Sequence, residues 1–176
     1  MRKILLSLLA ISFFILTLSG CAQEMKTQPV LYFSADAVFK TDDITMKSKV
    51  ESFNTEDVTV TMLSPDNVNG ISYQRVKSTL YITYNELRCI ATNDYLPRFS
   101  PVSVVFDSLL SMQDGTCTFS CFEGDFAVYK NQTGTLKQTV YVDKKSGYIY
   151  RISAPYANCE ITFSNINQQK KTHLSE

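Results

Sequence analysis

Few residues in this chain have side chains that could react, ligate a metal or exchange protons near neutral pH: five cysteines, one histidine and 17 acidic groups in 176 residues. His173 lies in a polar C-terminal stretch, so a Ser-His-Asp or Cys-His arrangement would lack an ordered base. Carboxylates pair at Asp42-Asp43, Glu56-Asp57 and Glu123/Asp125, but each pair sits in a turn signal, where solvated turn residues are expected rather than an acid/base couple. Glu123-Gly124-Asp125 is too sparse in oxygen ligands for calcium. Cys117 and Cys121 form a C-x3-C with no second clustered pair, a poor zinc pattern. The glycine spacings that cradle phosphates are absent. The expectation is a protein that is not an enzyme and takes no metal and no cofactor.

Cys21 is set apart by what precedes it. Arg2 and Lys3 form a basic head, and Ile4 to Leu16 is an apolar run too short for a comfortable membrane span. Ser19 and Gly20 are the small residues a signal peptidase requires. Residues 1–20 therefore read as an export signal cut before Cys21; an ordinary secretory signal or an uncleaved anchor helix are the alternatives. Leu18-Ser19-Gly20-Cys21 resembles the lipobox of bacterial lipoproteins. That resemblance implies that the Cys21 sulfur receives a diacylglycerol and becomes the first mature residue, on the extracytoplasmic face of the cell membrane. Ala22 to Pro29 is polar and aperiodic, a tether that reaches about 27 Å when extended. Partners are then confined to the neighbourhood of the membrane.

The 156 residues left after cleavage suit one domain with a real core, expected over residues 30–167 with a polar tail at 168–176. Basic and acidic side chains balance at 17 each in the full chain, which gives no electrostatic footprint for nucleic acid. Ten Tyr, eleven Phe and few Gly or Pro favour long strands. With Cys21 lipidated, Cys89, Cys117, Cys121 and Cys159 remain, an even number in an exported chain. Cys117 and Cys121, four apart on one predicted strand, lie about 13 Å apart and cannot be bridged. Two readings stay open: four buried thiols acting as small hydrophobes, or a single bridge from Cys117 or Cys121 to Cys159.

Period-2 alternation predicts strands at Leu31–Lys40, Ile44–Asn54, Asp57–Leu63, Ile71–Val76 and Thr79–Tyr84, with a shorter candidate at Leu87–Ala91. The second half repeats this at Thr116–Phe122, Phe126–Asn131, Leu136–Val142, Tyr148–Ser153 and Glu160–Asn165. Between the halves the period changes. Val102, Val105, Phe106, Leu109 and Leu110 recur at helical spacing, Ser100 is a suitable N-cap, Pro101 fits the first helical position and Asp114-Gly115 ends the pattern. The fold class expected is mainly β: a curved antiparallel sheet forming a half-barrel, covered by one central amphipathic helix. Closing the groove would bury Phe106, Leu109 and Leu110 at about 1.5–3 kcal/mol each.

The lipobox, the antiparallel run, the Pro-led helix from Pro101 to Met112 and the hairpin Tyr141–Ile152 together resemble the LolA/LolB-like group of exported lipoprotein carriers. What this implies is a half-barrel with helices on its concave face, a cavity for acyl chains or part of another protein, and no enzymatic activity. The chain departs from that group in having no amphipathic helix before its first strand. Residues on the apolar face that would line such a groove are Met46, Met62, Leu80, Ile82, Phe106, Leu109 and Leu110; a filled core of the same residues is the plainer expectation. Two functions follow. One is a membrane-tethered binding lipoprotein whose groove holds an apolar ligand or lipid. The other is an interaction or scaffold lipoprotein that supports an envelope or cell-wall enzyme, as germination lipoproteins of similar size do.

Overall fold

The computed structural model describes residues 28–54, 56–92, 95–131 and 137–169. The export signal, the lipobox, most of the tether and residues 170–176, His173 among them, lie outside the described residues. Strands run at β1 Phe33–Lys40, β2 Thr45–Asn54, β3 Asp57–Ser64, β4 Ser72–Val76, β5 Thr79–Tyr84 and β6 Leu87–Thr92. Helix α1 follows at Pro101–Gln113, then β7 Cys117–Glu123, β8 Phe126–Asn131, β9 Gln138–Asp143, β10 Ile149–Ala154 and β11 Cys159–Gln168. Each alternating segment of the sequence is a strand, shifted by a residue or two at its ends. The largest difference is β11, which extends to Gln168 because its last residues pair with Phe33 and Ser34 of β1.

The eleven strands among the described residues join one antiparallel sheet in the order β6-β5-β4-β3-β2-β1-β11-β10-β9-β8-β7. Chain order explains this arrangement. Hairpins lead outward from β1 to the β6 edge, α1 carries the chain over to the opposite edge at β7, and hairpins lead back until β11 closes against β1. Laid flat, eleven strands would hold the two edges about 48 Å apart, while a 13-residue helix covers only about 20 Å. Curling the sheet brings the edges toward the helix and buries its apolar face. The result is an open half-barrel with α1 in its concavity.

The helix begins as the sequence requires. Ser100 Oγ accepts from the Ser103 amide at 3.1 Å, Pro101 occupies the first turn, and the Asp114 N–H closes the last turn on Leu110 O. Its burial is broader than one stripe: Val102, Ser103, Val104, Val105, Phe106, Ser108, Leu109 and Ser111 are all buried. Leu110 is not; it is 42% exposed, contrary to the predicted stripe. A polar network sets this rotation. Ser108 Oγ donates to Gln138 Oε1 at 3.0 Å, and Gln138 Nε2 donates to Ser111 Oγ at 2.8 Å, so the serine face turns toward β9 and Leu110 turns out.

One core cluster unites both halves of the sheet with the helix, including Phe33, Phe39, Val60, Leu80, Leu109, Val140, Ile152 and Phe163. Phe33 and Phe163 meet edge to face at 5.8 Å where β1 and β11 pair. Ile44, the first residue of the strand predicted at Ile44–Asn54, precedes β2 and is exposed, while Ser48 and Ser52 share the inward face with Val50.

The bridge considered for Cys117 or Cys121 with Cys159 does not form. All four described cysteines are free, and four inter-strand steps of about 4.8 Å separate β7 from β11, beyond disulfide reach. Nor are all four buried. Cys117 and Cys159 are core residues, Cys121 is half-buried and Cys89 is exposed on the β6 edge.

Candidate functional site

The concave face brings together six of the seven residues predicted to line a groove. Met62, Leu80, Phe106 and Leu109 are buried in the core cluster, and Met46 and Ile82 pack against it half-buried. Leu110 points away from it. The helix thus fills the space that the sheet encloses, with Phe106 and Leu109 as its largest wedges.

Arg75, which the sequence reading passed over, lies inside this packing at 5% exposure, its guanidinium 4.9 Å from the centre of the Phe106 ring. Burial lowers its pKa, and the charge of Asp107 works the other way. Asp107 is pushed above the usual carboxylate range by burial, opposed by the charges of Arg75 and Arg98. Tyr156, in the short turn after β10, packs its ring 6.2 Å from Phe99, and burial together with Asp107 raises its phenol to about 12. A strand that alternates Ser72, Gln74 and Val76 with Tyr73 and Arg75 carries no local sign that its arginine faces inward. Its place next to Phe106 comes from the sheet curling over α1.

These groups hold the helix in place but supply no nucleophile. Burial raises the Cys117 thiol to about 12 and the Cys159 thiol to about 11, so both are protonated at neutral pH. Among the described residues no three His, Cys, Asp or Glu side chains converge as a metal site would need. Two clefts formed by described residues open at the surface. One of about 290 Å³ lies between Lys40, Asp42 and Glu160, and one of about 350 Å³ lies between Lys130, Lys137 and Thr139.

Apolar surface is concentrated elsewhere. Of eleven large hydrophobic side chains exposed among the described residues, Tyr84, Leu87, Ile90, Tyr95 and Phe99 fall on β6 and the segments that flank it. Leu87 is 74% and Ile90 67% exposed, on opposite faces of a strand that, among the described residues, lacks a neighbour on its outer side. Arg88 lays its guanidinium over the Tyr81 ring at 4.1 Å. The sequence does hold a signal for this edge: LRCIAT has apolar residues at both parities, so neither face is solvated by pattern.

Among the described residues, fold and site define an open antiparallel half-barrel with one crossing helix as its plug and an apolar free edge. No family model matches the chain, and no curated protein matches it. Solved structures similar to it include an uncharacterized conserved protein from Thermus thermophilus, at 8% identity and TM-score 0.49, covering 86% of each chain. A LolA superfamily protein from Nitrosomonas europaea is 10% identical with TM-score 0.41, over 84% of this chain and 90% of that one. A putative outer membrane lipoprotein-sorting protein domain from Vibrio parahaemolyticus is 13% identical with TM-score 0.39, over 88% and 92%. LolA-type proteins therefore stand among its structural neighbours, as expected from the antiparallel run, the Pro-led helix and the hairpin. All these scores are below 0.5, and the likeness carries no role over to this chain.

Proposed function

We propose that this chain is a membrane-tethered, non-catalytic lipoprotein of the cell envelope that binds and positions another envelope protein. The observation that carries the reading is the contrast between the two apolar surfaces. The concave face is filled by Phe106 and Leu109, whereas Tyr84, Leu87, Ile90, Tyr95 and Phe99 stay exposed in one stretch of sequence. Large exposed apolar side chains gathered on one strand edge and its flanking segments are candidates for contact with a partner. The anchoring half of the reading rests on Met1–Cys21 and its lipobox resemblance. No helix among the described residues is long and apolar enough to cross a membrane.

An apolar ligand inside the half-barrel is the second reading. It is favoured by the apolar side chains that Met62 and Leu80 turn to the concave face, and it requires α1, with Phe106 and Leu109, to leave its seat. Three measurements separate the alternatives. Cys21→Ser should release folded protein into the soluble fraction, and retention in the membrane would overturn the anchor. A photo-crosslinking residue at position 95 or 99 should capture an envelope protein in cells; capture of none would refute the interaction reading. Mass spectrometry of the protein extracted from membranes should find no co-purified lipid beyond the anchor; a stoichiometric lipid would favour the groove instead.

A further inference from the structure

Resting on that reading, the free edge of the sheet says how a partner would be held. An edge strand turns alternate N–H and C=O groups outward, and natural proteins usually blunt such an edge with charges, proline or a bulge. β6 has none of these defences in force. Its register with β5 is continuous from Thr79↔Thr92 to Tyr84↔Leu87, it holds no proline, and its one charge, Arg88, is folded onto Tyr81. The opposite edge is different: β7 is shifted in register between Phe119 and Cys121 and packs against α1.

Three occupants can be compared. A bilayer cannot satisfy outward N–H and C=O groups, so the apolar side chains of β6 do not serve as a membrane insert. A second copy pairing antiparallel through the same strand conflicts with the anchor. The ladder Phe33↔Ser52↔Val58↔Arg75↔Leu80↔Ala91 places the end of β6 on the rim where the tether enters β1. A two-fold axis through β6 would send the two tethers to opposite ends of the joined sheet. An extended segment of another protein meets both demands, because it supplies backbone partners and apolar side chains together. Charge narrows its chemistry. Among the described residues no carboxylate pairs with Arg88, which lies on the same face as Ile90.

We propose that β6 accepts an extended segment of a partner protein as a twelfth strand, with apolar side chains over Leu87 and Ile90 and a carboxylate facing Arg88. The probe is a capped heptapeptide of valine and threonine with valines on both faces of the strand and one central glutamate, titrated against the full chain in lipid nanodiscs. Expected are binding that perturbs the amides of residues 87–92, a tenfold or greater loss when alternate peptide amides are N-methylated, and a several-fold loss when glutamate becomes lysine. Ile90→Lys, at an exposed position, should weaken binding about tenfold while leaving the melting temperature within error. Equal binding by the N-methylated peptide, or no binding at about 1 mM, overturns strand addition. The broader reading fails separately, on the absence of cross-linked partners at positions 95 and 99.

Discussion

Leu109 and Leu110 are adjacent and chemically identical, and the sequence places both on one apolar stripe, yet the structure buries the first completely and leaves the second 42% exposed. Truncating each to alanine therefore tests the rotation of α1 directly. At Leu109, all the carbons removed leave a water-free site. The transfer loss is about 2.4 kcal/mol at 0.8 per methylene, and the cavity left in a packed core raises it to about 3–4 kcal/mol. For a domain of this size that is a fall in Tm of about 6–16 °C. At Leu110, the lost contacts are partial and the site is open to water, so the cost should be about 1 kcal/mol or less. Urea titration of both variants at one pH, with unchanged slopes, gives the comparison. Equal destabilisation would mean that the Ser108–Gln138–Ser111 network does not set the rotation, and that Leu110 faces the groove as the helical pattern alone suggests. If Leu109→Ala cost under about 1 kcal/mol, the helix would not be a packed plug at all.

Gln138→Ala should cost about 1–3 kcal/mol by denaturant titration, because Ser108 Oγ loses its acceptor in a buried site and Ser111 Oγ loses its donor. A double-mutant cycle with Ser108→Ala should recover part of that loss as coupling. In the native protein Cys89 should react with a thiol reagent at once, while Cys117 and Cys159 should react only on unfolding; prompt labelling of either would contradict its burial. Asp143 accepts from Ser146 Oγ at 2.7 Å, from the Ser146 amide at 2.8 Å and from the Lys145 amide at 3.2 Å, which lowers its pKa below 3.8. Its contribution to stability is present above that value and is lost as pH falls through the lower folded pKa, so Asp143→Asn should flatten the acid limb of a stability profile measured from about pH 5 to pH 2.

Local rules carried far here because the fold is mostly hairpins. The turns at Asn69-Gly70 and Asp143–Gly147 announce themselves by residue type, and both glycines take positive φ, at 84° and 75°. Ser100, Pro101 and Gly115 bound the helix for equally local reasons, since caps satisfy backbone groups within one turn of chain. Misreadings arose where an outcome depends on distant neighbours. Leu110 faces water because Gln138 pulls on the two serines. Cys89 is exposed because β6 ends the sheet. Arg75 is buried because Phe106 comes over it. Of the predicted groove, six residues meet in one cluster, and the apolar residues of LRCIAT became an exposed edge only through the strand order.

By itself, the sequence determined which segments are strands, where the single long helix starts and stops, and that Met1–Cys21 carries the pattern of an export signal with a lipid attachment site. Those features depend on alternation, capping and short motifs, which act over a few residues. Tertiary structure decided that β11 returns to β1, that β6 and β7 are left as edges, and that α1 fills the concavity between them. Those outcomes are set by side chains that meet across tens of residues, such as Phe33 with Phe163 and Ser108 with Gln138, and no period or motif in the chain encodes such meetings.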